Sequence, residues 1–252
     1  MSEDVHLTRD REPPRLLLLT LGLTALAWFI AIVAMLGTRW GLWGFPRGVG
    51  MLRTSVWLSV ITGVLAGWVI YQIRGRGLAW QGPPLALLAL LASLILVIVP
   101  LRVSRNGANT PLIHDITTDI QNPPAFEAVL ERRGSDSNAA TYGGVDVARL
   151  QNEAYPDIRP VIIDLSVNAA FQRAREVAER SGWRIVQADE ATGRIEATDR
   201  TFWFGLPEDV VIRLTPLEER TVVDVRSASR IGEGDRGSNA RRVREYLQAL
   251  RS

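Results

Sequence analysis

The 252-residue chain contains no cysteine and no lysine. The first absence excludes thiol nucleophiles, thiolate metal sites and disulfides. The second excludes Schiff-base lysines and the lysine of a phosphate-cradling P-loop. Histidine is nearly missing as well, limited to His6 and His114. All 29 basic residues are therefore arginine, set against 27 acids. Charge is unevenly placed: residues 1–101 hold 8 Arg and 4 acids, and the rest of the chain holds 21 Arg and 23 acids. A slightly acidic second part lacks the cationic face that neutralising several phosphates requires, which excludes a broadly basic nucleic-acid-binding domain.

Asp, Glu, Lys, Arg and His are absent from 16–36, 54–73 and 83–101. A helix rises about 1.5 Å per residue, so each run is long enough to cross a hydrocarbon core of about 30 Å, the third with a shorter apolar centre. The first run is longer than the apolar part of a cleaved signal peptide and is followed by two more, so we expect it to be retained. Transporters and redox carriers place ionisable groups or ligating His inside the bilayer; spans without them are most simply an anchor. Trp40, Trp43, Trp57 and Trp80 fall near span ends, where an indole favours the headgroup layer. Residues 37–52 read either as a surface-lying segment or as a plain short loop. Gly63 and Gly67 form a small-xxx-small pair suited to close helix packing, within one chain or between chains.

Arginines flank the spans almost evenly. Arg9, Arg11, Arg15, Arg74 and Arg76 lie on one side, Arg39, Arg47, Arg53, Arg102 and Arg105 on the other. The three before the first span favour an inside amino terminus. Three spans then carry residues 113–252 outward, to the periplasm for a multi-pass protein of a bacterial inner membrane.

After a linker at 102–112, the chain predicts a water-exposed α+β domain. Short helices are expected at 124–133 and 146–154 in a Pro- and Asn-rich first third that wraps over the rest. A strand at 161–165 leads to Ser166 as a helix cap, and Ala169, Ala170, Ala174, Val177 and Ala178 follow helical spacing to Gly182. Strands follow near 183–188, 194–199, 209–214 and 221–229, then a helix over 239–250. Val223 and Val225 alternate with Asp224 and Arg226, which predicts one wet face on the last strand. The order argues for helices packed on a mostly antiparallel sheet.

Three separated stretches carry a resemblance. They are Ile113-His114-Asp115-Ile116-Thr117-Thr118-Asp119 with Asn122-Pro123-Pro124-Ala125-Phe126; Thr201-Phe202-Trp203-Phe204-Gly205 with Asp209-Val210-Val211-Ile212-Arg213; and Ser229-Arg230-Ile231-Gly232 with Asp235, Gly237 and Asn239-Ala240-Arg241-Arg242. At these residues the chain resembles a bacterial family of membrane-associated domains of unknown function. The resemblance implies a single domain, often preceded by membrane spans, and brings no catalytic residues with it.

Candidate sites are few. His114 with Asp115 and Asp119 could ligate a metal or act as a general base in a hydrolase; the same residues also suit a turn whose side chains satisfy local amides. Arg230, Arg241, Arg242 and Arg244 gather in sequence around the start of the last helix, where cations oppose the helix dipole. Either an anion such as a lipid headgroup or envelope polymer answers them, or nearby acids do. Trp203 is expected on the strand face opposite Phe202 and Phe204, packed in the core or displayed to a bilayer or partner. No cofactor or metal is expected. The readings that remain are a non-enzymatic module binding a lipid, envelope component or protein, an enzyme using His114, and a membrane-complex subunit contacting through Gly63 and Gly67.

Overall fold

The structure is a computed structural model that describes residues 15–76, 82–107 and 110–252. His6, Arg9, Arg11 and Trp80 lie outside the described residues. The chain divides into two compact units, residues 1–103 and 104–252.

The first unit holds α1 (Arg15–Arg39), α2 (Phe45–Arg76) and α3 (Gly82–Asn106). All three are long and apolar enough to cross a membrane. Their contact faces are built from small residues: Ala27, Ala31 and Ala34 are fully buried, with Thr20, Ser55, Ser59, Thr62 and Ser93. Three hydroxyls of this seam bond across it, Ser55 Oγ donating to Ala27 O at 2.7 Å and Thr62 Oγ1 meeting Ser93 Oγ at 2.8 Å. Large side chains such as Leu18, Phe29, Ile61 and Val64 face outward, as lipid-facing positions require. The surface-lying segment considered for 37–52 is replaced by a tight connection of 40–44. Gly41 turns the chain with φ +74°, and Trp43 folds over Gly37 so closely that a Cβ there would clash with its ring. Helix resumes at Phe45-Pro46, where a proline in the first turn loses no hydrogen bond.

The second unit is α+β. Its order is β1 (Asp115–Thr117), α4 (Gly144–Ala154), β2 (Val161–Ile163), α5 (Val167–Arg180), β3 (Arg184–Asp189), β4 (Arg194–Arg200), β5 (Pro207–Leu217), β6 (Arg220–Ser229) and α6 (Ser238–Arg251). The sheet is antiparallel, in the order β1-β6-β5-β4-β3, and β2 also pairs with β6. β2 lies against Thr221–Val223 and β1 against Arg226–Ala228. β1 was not anticipated: three residues are too few to show alternation.

One face of the sheet is apolar. Ile195, Ala197, Val210, Ile212, Leu214, Val223 and Val225 pack against Ala170, Phe171, Ala174 and Val177 of α5 and Ala240, Val243, Tyr246 and Leu250 of α6. Trp183 stacks on Tyr246 at 4.9 Å, and the Tyr246 hydroxyl donates to Ala174 O at 2.9 Å. Burial pushes that hydroxyl well above the ordinary tyrosine range. Ser166 takes the backbone position of an N-cap, but its side chain makes no capping bond.

The opposite face corrects the wet-face expectation. Asp224 and Arg226 are 3% and 2% exposed. Residues 118–143 cover them, with one short 3-10 turn at Leu130–Arg132 in place of the helix expected over 124–133. Pro123 and Pro124 donate no amide, and the amides of Glu127 and Val129 go instead to the carboxylate of Glu196, at 2.8 and 2.9 Å. Side chains of the sheet thus take the bonds a helix would have used.

Helix α4 closes the free edge of β1. Gln151, 1% exposed, accepts from Thr117 N at 2.9 Å and donates to Thr117 O at 2.7 Å. Replacing Gln151 with Leu orphans a buried donor and a buried acceptor, each worth about 1–3 kcal/mol, so denaturant unfolding of the full chain in detergent should show a loss of roughly 2–4 kcal/mol.

Candidate functional site

The densest concentration of chemistry-bearing residues lies between the sheet's second face and its covering segment. Paired strand residues share a face, so Arg194, Glu196 and Thr198 of β4, Asp209 and Arg213 of β5, Asp224 and Arg226 of β6, and Asp115 of β1 all point the same way. Arg230 follows directly after β6.

Arg226 is the most enclosed. Its Nε and Nη2 grip Asp115 Oδ1 and Oδ2 at 2.9 and 2.6 Å. Nη1 donates to Pro124 O at 2.9 Å and Nη2 to Ala140 O at 2.7 Å. The rings of Phe126 and Tyr142 lie 4.6 and 5.6 Å from the guanidinium carbon. Burial and the nearby Asp115 carboxylate push the Tyr142 hydroxyl up to about 12, with Arg226 opposing.

Asp209, fully buried, is held by two arginines. Arg230 approaches bidentately at 2.8 and 2.7 Å, Arg133 of the covering segment at 2.7 Å, and Thr198 donates at 3.0 Å. Arg230 also reaches Arg132 O at 2.5 Å. Burial pulls the Arg133 guanidinium below its ordinary value against the opposing pull of Asp209. At the far side Arg213 bridges Asp224 (2.9 Å) and Asp119 (3.0 Å), while Asp119 Oδ1 accepts the amides of Gln121 and Asn122.

A second polar cluster closes the helix-covered face at the start of α6. Arg242 pairs with Glu208 and, at 2.8 Å, with Asp199. Burial works to lower this guanidinium, but Glu208 and Asp199 outweigh it and hold it above its ordinary value. Asn239 joins the helix to both neighbouring strands, donating to His114 O at 3.0 Å and Ser229 Oγ at 2.9 Å. Asp235 accepts the amides of Gly237 and Asn239 at 3.0 and 2.6 Å, so the helix start carries an anion from its own chain. Burial raises the Asp235 carboxyl, with Glu208 adding to the rise.

The sequence-chosen residues are thus distributed rather than gathered. Asp115 is committed to Arg226 and Asp119 to Arg213, while half-exposed His114 precedes β1 and lends its carbonyl to Ser229 N at 2.8 Å. Among the described residues, no three His, Asp or Glu side chains converge to hold a metal. Of the four arginines, Arg230 and Arg242 serve opposite faces of the sheet, Arg244 pairs with Asp157 at 2.5 Å, and Arg241 lies on the exposed side of α6 at 4.0 Å from Glu245. The helix dipole is answered by carboxylates rather than by one anion site. Gly63 approaches Ser93 Cβ, 3.6 Å from where its own Cβ would be, while open space faces Gly67. A groove of about 240 Å³ between α2 and α3 runs beside Ser59, Gly63 and Ser93, and the buried Ser59 hydroxyl has no partner there.

Residues 115–250 match the family described as a protein of unknown function, DUF1499. The chain belongs to the DUF1499 family. No curated protein matches it. Family membership assigns no chemistry, but the residues that carried the resemblance are the ones that bond: Asp115, Thr118, Asp119, Phe126, Asp209, Arg213, Arg230, Asn239 and Arg242 all sit in these two clusters. Sequence reading missed Arg133, Arg226, Glu196, Glu208 and Asp224, because alternating charge on a strand looks the same whether water or protein covers it. The one available signal was a preceding segment rich in Pro and Asn with no periodicity of its own.

Two outcomes test this geometry. Asp115→Leu strands the Arg226 charge and should cost about 3–5 kcal/mol, whereas the Asp115→Leu/Arg226→Met double variant should recover most of it; a double-mutant cycle by denaturant unfolding reads the difference. At the surface, a hydrogen bond from Arg244 holds the Asp157 carboxyl below the ordinary range. Its contribution is therefore present above the unfolded carboxylate value and is lost as pH falls through the lower folded value. Arg244→Gln should cost under about 1 kcal/mol near neutrality, a difference that vanishes in acid unfolding series.

Proposed function

We propose that this DUF1499 protein is a non-enzymatic interaction module of a bacterial envelope, held by three spans in the inner membrane with its domain on the periplasmic side. One observation carries the reading: a set of the domain's acids and arginines is turned inward and spent on each other. Asp115, Asp209, Asp224, Glu196 and Glu208 are all at most 3% exposed and accept bonds from named donors, which suits a rigid scaffold that presents a surface. The three arginines before the first span support the outward placement. The groove beside Ser59 and Gly63 supports a second reading, a subunit whose spans meet a partner within a membrane complex.

The test compares the full chain with its His114→Ala variant. Equal stability, equal complementation of a deletion strain and no metal in the purified protein are expected. Bound metal, or a function lost in His114→Ala with the fold intact, would establish the enzyme reading instead. A reporter fused after Ser252 should be active only outside the cytoplasm; activity inside would overturn the placement.

A further inference from the structure

Phe202, Trp203 and Phe204 were expected on a strand with at least two of them in the core. They lie instead in the turn between β4 and β5, with Phe202 82% and Trp203 46% exposed. The turn is braced. Thr201 N donates to Leu206 O at 2.9 Å, Gly205 N to Thr201 O at 2.9 Å, Leu206 N to Thr201 Oγ1 at 2.9 Å and Arg200 Nη1 to Gly205 O at 2.9 Å. Gly205 takes φ +64°, the left-handed conformation that glycine accepts without strain. The two rings meet edge to face at 5.1 Å, so they are displayed as a unit on a fixed support.

Register places this turn. Arg200 pairs with Pro207 and Glu208 with Ser229, while Asp115 pairs with Ala228. The chain preceding β1 therefore enters the sheet at the same end as the turn. Leu112 (78% exposed) and Ile231 (36%) add apolar surface at that end, Leu112 lying against Gly234 and Ile231 following the residue whose amide donates to Pro207 O. Seven residues lie between Arg105, where the third apolar span ends, and Ile113, the first buried residue of the domain core. A chain of that length reaches at most about 28 Å.

We infer that the Phe202–Trp203 turn is a lipid-contact element that rests in the headgroup layer of the bilayer, with Leu112 and Ile231 beside it. The occupant is a lipid surface because the covalent tether holds this end of the sheet within reach of one. An indole beside a phenyl ring also suits the boundary between acyl chains and water. The inference deepens the anchored-module reading and rests on it. Contact at this end limits how the domain can turn on its tether and directs the rest of its surface away from the bilayer.

The chain has no cysteine, so single-cysteine labelling is clean. Nitroxide at Phe202→Cys, with Val145→Cys and Ile61→Cys as comparisons, is read in the full chain reconstituted into phosphatidylcholine/phosphatidylglycerol vesicles, by collision with oxygen and with a water-soluble nickel chelate. Val145 is 85% exposed at α4 and Ile61 is 55% exposed on α2. The label at 202 should favour oxygen as the label at 61 does, should differ from the label at 145, and should lose that preference when Trp203→Asp is added. If the label at 61 is lipid-like and the one at 202 matches 145, the inference fails while the anchor stands. If the label at 61 is itself aqueous, the anchor reading fails. Shielding of 202 from both colliders marks a protein partner and overturns the lipid assignment.

Discussion

In the folded domain the Arg226 guanidinium is enclosed by protein, with 2% of the residue exposed. Removing a guanidinium from solvent costs several kcal/mol, which attraction to one carboxylate offsets only when the remaining donors are also satisfied. Here they are satisfied by the covering segment. Arg226 bonds Pro124 O and Ala140 O, Arg213 bonds Asn122 O, Arg194 bonds Ala125 O and Arg230 bonds Arg132 O, while Glu196 takes two amides in return. A stretch of 26 residues, 118–143, with almost no regular structure is ordered because strand side chains complete its backbone hydrogen bonds. Charge on the sheet and irregularity in the cover are one feature seen from two sides.

That arrangement explains what the sequence disclosed and what it concealed. The spans were legible because hydrocarbon disfavours charged side chains, and absence of charge over about twenty residues is a property of the sequence itself. The helix-covered face was legible because Val210, Ile212 and Val223, Val225 alternate, and because Ala170, Ala174, Val177 and Ala178 fall on one helical stripe. The second face was not. Periodicity reports which residues share a side but not what lies against it, so Asp224 and Arg226 read as wet. β1 was too short to signal, and Phe202 and Phe204 had the right period for a strand that ends before them, at Arg200. Of the candidate residues, Asp115, Asp119, Arg230 and Arg242 lie in the two polar clusters, each in an ion pair. Their partners, which decide what they do, are 21 to 111 residues away and are supplied only by the fold.

Buried ion pairs contribute little net stability compared with well-packed apolar residues, so their presence calls for another account. In this domain one of them joins two strands: Asp115 of β1, opposite Ala228, grips Arg226 of β6, which lies on the same face opposite Thr117. The chain that emerges from the last apolar helix is thereby fastened at a defined point of the sheet, next to the aromatic turn and the start of α6.

Amide hydrogen exchange at Val129 tests the central claim most directly, since this residue lies in an irregular segment and is protected only if the ion-paired face is closed. Its amide donates to Glu196 Oε2 at 2.9 Å, and the residue is fully buried. Exchange as slow as that of Val210 and Ile212 in the central strand is the predicted result. Exchange at the rate of an open loop would mean that the charged face is wet after all.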